Sequence, residues 1–157
     1  MGHIGLSPQS IKKYINIKIK GFNSAEKKKL VEDADYLCNA GVFSIVIEAV
    51  AESAAKAVIK KVKNYKKRFV PTIGIGASKH CNGQILVTDD MIGLTNKYKK
   101  NKLPKFVKVF KNYDLELSVK NFCDEVRNRL FPSNEFCYTK NKKVFNNVTY
   151  LKFSEKK

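Results

Sequence analysis

Apolar residues in this chain follow two rhythms, short unbroken runs and a 3.6-residue period, and the alternation between them predicts a fold. The stretch Val70-Pro71-Thr72-Ile73-Gly74-Ile75-Gly76-Ala77 and the stretch Gly83-Gln84-Ile85-Leu86-Val87-Thr88 are apolar at successive positions, rich in β-branched residues and stopped by glycines or acids. Strands buried on both faces of a parallel sheet look like this. Residues 43–47 form a third run, ending at Glu48, and His3-Ile4-Gly5-Leu6 is the tail of a fourth that runs into a loop at Pro8. Helical period takes over between them. Leu30, Val31, Ala34, Leu37 and Cys38 share one face of a helix that Asn23 caps, with Glu26 at capping-box distance and Gly41 as its stop. Residues 53–63 turn Ala54, Ala55, Val58, Ile59 and Val62 inward and lysines outward. Residues 115–130 carry a stripe of Leu117, Phe122, Cys123, Val126 and Leu130, stopped by Phe131-Pro132. Residues 12–21 alternate polar and apolar and are read as loop, residues 78–82 as loop, and residues 103–113 as a short amphipathic piece.

The order strand, helix, strand, helix, strand, loop, strand, helix argues for βαβ crossovers and a parallel sheet in an α/β fold. At 157 residues the chain is one domain in size. Its 43% hydrophobic and 11% aromatic content is globular, and no run of 18 or more apolar residues is present to span a bilayer. The first residues lack the basic, apolar and small-residue pattern of a secretory leader, so a cytoplasmic protein is expected. Cys38, Cys81, Cys123 and Cys137 form no Cys-x-x-Cys pair and are expected as free thiols. Residues 139–157 mix lysines with Val144, Phe145, Tyr150 and Phe153 and are read as a basic, partly disordered tail to a domain of residues 1–138.

A net charge of +17 raises the question of nucleic acid. Residues 60–68 and 97–102 interleave tyrosine with lysine and arginine, as single-strand binders do. The lysines also spread through every helix and the tail, which is a bias of residue usage and not a patch. Specific nucleic-acid binding is therefore not expected.

The wording of the strand ends is more specific than their pattern. Pro71-Thr72-Ile73-Gly74-Ile75-Gly76-Ala77, then Gly83-Gln84-Ile85-Leu86-Val87, then Pro104-Lys105-Phe106-Val107-Lys108 closely resembles ketopantoate hydroxymethyltransferase. The resemblance runs from Gly2 to about Tyr138 and corresponds to the C-terminal half of that family's barrel. It implies roughly the last four β/α units of a (β/α)8 TIM barrel of the phosphoenolpyruvate-mutase-like type. The implied reaction is transfer of a hydroxymethyl group from methylenetetrahydrofolate to α-ketoisovalerate, giving ketopantoate for pantothenate synthesis, with a magnesium ion on the ketoacid. The family's metal ligands, two aspartates and a glutamate, and its substrate lysine fall on the first four strands, so none is expected in this chain. A truncated or split form is implied, completed by an N-terminal half or by homo-oligomerisation. Two alternatives stand beside it: an inactive remnant of the enzyme, or a basic scaffold that binds RNA or another polyanion.

Glu48 ends a buried strand, where barrel enzymes place catalytic groups. From the residues alone it is equally well a general base or a carboxylate satisfied by one of many lysines. The resemblance of residues 43–48 to the family's glutamate-bearing strand makes it the proton acceptor. His3 matches a family histidine in Gly-His-x-Gly-Leu and is a candidate for substrate binding. Asp90 matches a family aspartate that is not a metal ligand and is read as a loop cap, while His80-Cys81 lacks the further ligands of a zinc site. The chain departs from the family at Ile15-Asn16, Ser78-Lys79, Asn82 and Asp89.

Overall fold

The computed structural model describes residues 1–7, 17–95, 103–111, 113–139 and 147–148. Four parallel strands form one sheet, β1 (Gly2–Gly5), β3 (Ile45–Glu48), β4 (Thr72–Ile75) and β5 (Gly83–Gln84), adjacent in that order. Spatial order thus follows chain order without reversal. A second, two-stranded sheet pairs β2 (Ile17–Lys18) antiparallel with β6 (Asn147–Val148). The helices are α1 (Ser24–Asn39), α2 (Glu52–Val62), the single turn α3 (Thr88–Met91) and α4 (Leu115–Arg127), followed by a 3-10 turn at Asn134–Phe136.

Alternation of side chains along the strands separates two faces. Ile4, Ile45 and Ile47 pack with Leu30, Ala34 and Cys38 of α1 and Ala54, Ala55, Val58 and Val62 of α2 in one buried cluster. Burying each of the Ile, Leu and Val side chains among these contributes about 1.5–3 kcal/mol, so this sandwich is the main source of stability. His3, Val46, Glu48, Ile73 and Ile75 have the opposite parity. Beyond the strand ends, a second cluster joins Leu6, Ile19, Ala49, Phe106, Val107 and Tyr138.

The ends of α1 follow the sequence closely. Asn23 Oδ1 accepts the Glu26 N–H at 2.7 Å, while the Glu26 carboxylate takes the N–H of Gly21 at 2.7 Å. Gly41, at φ +89°, turns the chain just past the C-cap Ala40.

Three expectations change, and a fourth, the short amphipathic piece at residues 103–113, gains its detail. The strand expected over residues 84–88 has only two ladder residues, and α3 begins where it was to end; Ile85 and Val87 are exposed because β5 has a single neighbour among the described residues. Residues 12–21 were read as loop, yet Ile17–Lys18 is a strand, and its partner lies in the tail read as partly disordered. The rest of that tail lies outside the described residues. The stripe on α4 is not a core: Leu117 and Leu130 are 36% and 61% exposed and only Ser118 is buried on that helix. Phe122 instead meets Phe110 and Phe131 edge-on, at 5.6 and 5.7 Å between ring centroids. Lastly, residues 103–111 form no helix but a strap that turns at Pro104 and buries Phe106 and Val107.

The basic stretch at 60–68 is largely structural. Lys61 Nζ lies 2.9 Å from Asp35 Oδ1, and its hydrogen bond holds that carboxyl below the ordinary range. This pair therefore supports the fold above about pH 4 and ceases to do so as pH falls further. Lys66 donates to Asn39 Oδ1 at 2.9 Å. Arg68 donates to the carbonyls of Cys38 (2.9 Å), Val42 (2.9 Å) and Gly41 (3.3 Å), closing the C-terminal end of α1 from the turn after α2. The second stretch, residues 97–102, lies outside the described residues.

The Arg68 fork is a stability test. Arg68→Ala should cost about 1–3 kcal/mol, since three charged hydrogen bonds to carbonyls at and just past the end of α1 are lost. Arg68→Lys should recover little, because one ammonium cannot span three carbonyls. Thermal unfolding of both variants, with midpoints lowered by several degrees, checks it; an unchanged midpoint for Arg68→Ala would remove the fork from the stabilising contacts.

Candidate functional site

The C-terminal ends of β1 and β3 bring together the two residues singled out from sequence. In the sheet register His3 stands beside Val46 and Gly5 beside Glu48, so His3 and Glu48 lie diagonally on the face away from α1 and α2. Their side chains meet there, with Nε2 of His3 2.9 Å from Oε2 of Glu48. Glu48 is 8% exposed, and a third of the His3 side chain is open to solvent. An Nε2–H of the imidazole at this distance donates to the carboxylate and fixes one oxygen of Glu48.

Backbone geometry forces this approach. Gly5 has φ +93°, and a Cβ built on it would lie 2.1 Å from the Glu48 carbonyl oxygen and 2.6 Å from Cγ2 of Val50. Leu6 N–H then donates to that same Glu48 carbonyl at 2.9 Å. Directly after Glu48, Ala49 takes φ +51°, a conformation that costs a non-glycine residue about 1 kcal/mol or more. Its N–H donates to Ile75 O at 3.0 Å and its carbonyl accepts from Lys20 at 3.2 Å. Nothing in the sequence marks Ala49 as left-handed. Glycine would have been the signal, and the position carries alanine.

A cavity of about 490 Å³ opens along the outer edge of β1, between that strand and α1. His3, Gly5 and Ser7 line it from the strand side, and Lys29, Asp33 and Tyr36 from the helix. Glu48 does not line it. The carboxylate sits one strand further in, so His3 bridges between the cavity and Glu48.

The other candidates stand apart. Asp90 accepts a hydrogen bond from Thr95 Oγ1 at 2.6 Å, as a local cap does. His80 is exposed in the β4–β5 connection, while Cys81 is buried against Gly74, its thiol pushed up to about 11 by desolvation. All four cysteines are free thiols, and three of them are buried. Among the described residues no group of three or more His, Cys, Asp or Glu could hold a metal ion. One imidazole nitrogen and one carboxylate do not make the oxygen-rich octahedral shell that magnesium requires. No helix of the described residues is long and apolar enough to cross a membrane.

Comparison with known proteins adds an independent finding. The family model described as ketopantoate hydroxymethyltransferase matches residues 1–134. Among curated relatives, the 3-methyl-2-oxobutanoate hydroxymethyltransferase of Thermosipho africanus is 43% identical over 137 residues, covering 86% of this chain and 48% of the relative. That of Syntrophomonas wolfei is 40% identical over 150 residues, covering 94% and 51% respectively. The protein of the same name from Sphingopyxis alaskensis is 43% identical over 140 residues, covering 88% and 45%. The chain spans about half the length of the curated relatives it matches.

The approach of β1 to β3 can be probed by two alanine substitutions at positive φ. Gly5→Ala meets both a strained φ and a backbone atom, and should cost more than about 4 kcal/mol or prevent folding. Gly41→Ala, at φ +89° with nothing within 4 Å of the added Cβ, should cost only about 1–2 kcal/mol. Urea midpoints of the two variants decide; equal losses would mean that the Glu48 carbonyl does not constrain Gly5.

Proposed function

We propose, from the premise that this chain belongs to the ketopantoate hydroxymethyltransferase family, that it carries the proton-abstracting half of the site that transfers a one-carbon unit from methylenetetrahydrofolate to α-ketoisovalerate. The observation that carries this reading is the 2.9 Å contact between His3 and Glu48 at the C-terminal ends of adjacent parallel strands. Glu48 is the general base. Water cleaves the folate's N–CH2–N bridge, releasing tetrahydrofolate and the carbon as formaldehyde. Glu48 takes the proton from C3 of the ketoacid, and the electron pair moves into the C2–C3 bond and onto the ketone oxygen. The enolate carbon attacks the formaldehyde carbon, whose oxygen picks up a proton to become the hydroxymethyl group. His3 holds Glu48 in place and faces the substrate from the C-terminal end of β1. Positioned bases of this kind contribute roughly a hundredfold to ten-thousandfold in rate.

In this reading residues 1–138 form the last four β/α units of a (β/α)8 barrel in a cytoplasmic enzyme. A sequential parallel sheet with helices on one face is the arc such a barrel needs, and the face bearing His3 and Glu48 is then its interior. Both outer strands, β1 and β5, lack a second neighbour among the described residues. The remaining half of the barrel fills the cavity along β1, either from a separate chain or from an adjoining segment. The metal-binding acids belong to that half, as the family resemblance implies.

Exchange of the C3 proton tests the assignment, since enolisation precedes carbon transfer. The chain is combined with the N-terminal half of a relative, such as that of Thermosipho africanus, in deuterated buffer containing magnesium, and loss of the C3 proton signal of α-ketoisovalerate is followed. Glu48→Gln should slow exchange by about a hundredfold to ten-thousandfold, whereas Asp90→Asn should change it by about threefold or less. Exchange untouched by the Glu48 change, or equal losses at both positions, would place the base elsewhere.

A further inference from the structure

A second cavity, of about 260 Å³, lies at the opposite end of the sheet from Glu48. Thr72 opens β4 and Asn82 immediately precedes β5, so the cavity sits at the N-terminal ends of the strands, roughly 10 Å along the sheet from the His3–Glu48 pair. Its floor is Ile59, Val62 and Val70, and its rim is Lys63, His80, Asn82 and Arg129.

The rim is rich in donors. The N–H and Oγ1 of Thr72 both donate to Asn82 Oδ1, at 3.0 and 3.2 Å. This fixes the amide orientation and leaves Nδ2 of Asn82 as a donor. Lys29, Lys56, Lys61 and Lys108 each hold an acid. The side chains of Lys63, His80 and Arg129 make no such pair with another described residue, and no carboxylate lines the cavity. Two helices end here: α2 stops at Val62, and α4 stops two residues before Arg129. Their carbonyl ends contribute roughly half a negative charge each. The two full charges of Lys63 and Arg129 exceed that sum before His80 is counted.

We propose that this cavity binds a small phosphate-bearing organic anion, its phosphoryl oxygens on Lys63, Arg129, His80 and Asn82 and its apolar part against Ile59, the partly exposed apolar side chain of the lining. Donors converging from three separate elements suit an anion with several acceptor oxygens, and arginine matches phosphate geometry in particular. The volume falls below the roughly 300–1,000 Å³ of pockets for drug-sized ligands, which excludes a whole nucleotide. The site is independent of the Glu48 chemistry.

The full chain is titrated at constant ionic strength with inorganic phosphate, phenyl phosphate and benzoate, following the backbone amide signals of Thr72 and Asn82. Saturable binding is expected for both phosphates, phenyl phosphate being several-fold tighter and benzoate several-fold weaker than inorganic phosphate. Arg129→Gln and Lys63→Ala should each weaken phosphate binding about tenfold, and Lys60→Ala, on the same helix but outside the cavity, by less than about twofold. Absence of saturation, equal loss in Lys60→Ala, or benzoate matching phenyl phosphate would overturn the proposal.

Discussion

The close approach of the end of β1 to the end of β3 is the constraint on which the site depends. Only a residue without a Cβ can sit where Gly5 meets the Glu48 carbonyl, and only that proximity lets His3 reach across one strand to the carboxylate. The segment after Glu48 is fixed from several directions at once. Ala49 bonds to β4, Ala51 N–H reaches Lys20 O at 2.8 Å, and Glu52 N–H reaches Tyr138 O at 2.9 Å. The left-handed turn at Ala49 persists because these bonds leave it no alternative. A carboxylate held this way has little orientational freedom left to lose, which is the condition positioned groups need.

The same geometry explains why the strap and the β2 segment sit where they do. Gly76, at φ +59°, lets Phe106 lie against the backbone at the end of β4; a Cβ there would approach the ring within 2.8 Å. Phe106 and Val107 then join Leu6, Ile19 and Tyr138 over the strand ends. Tyr138 is fully buried and its hydroxyl has no partner among the described residues. Its ring supplies packing, and Lys105 lies over it while donating to the Cys137 carbonyl. The mouth of the site is thus walled by residues distant in sequence, although the strands themselves are only four residues long.

Local chemistry was legible in the sequence, and distant packing was not. Asn23 and Gly41 announced α1 because caps act within a few residues of the backbone they satisfy. Glu48 and His3 were legible through motif wording, and a register decided by the strands brought them together. Periodicity overstated α4, because an apolar stripe states which face could be buried without stating that anything covers it. It also overstated β5, where Ile85 and Val87 read as interior and stand exposed. Arg68 was read as part of a basic run. Its function as a helix stop depends on three carbonyls about thirty residues earlier, for which sequence carries no local sign.

Charge composition misleads for a related reason. The +17 of this chain is a sum, and a sum says nothing about which cations are already spent. Lys61 is spent on Asp35, Lys56 on Glu52, Lys108 on Glu125, and Arg68 and Lys105 on carbonyls. An exposed ion pair of this sort adds little stability, but it does cancel the local field that a polyanion would follow. The cations that still project a field are those with no partner, and their placement carries the information that their number lacks. On this criterion the two ends of the sheet differ in kind. The C-terminal end offers a carboxylate held by an imidazole, and the N-terminal end offers cations, Lys63 and Arg129, that no acid among the described residues pairs.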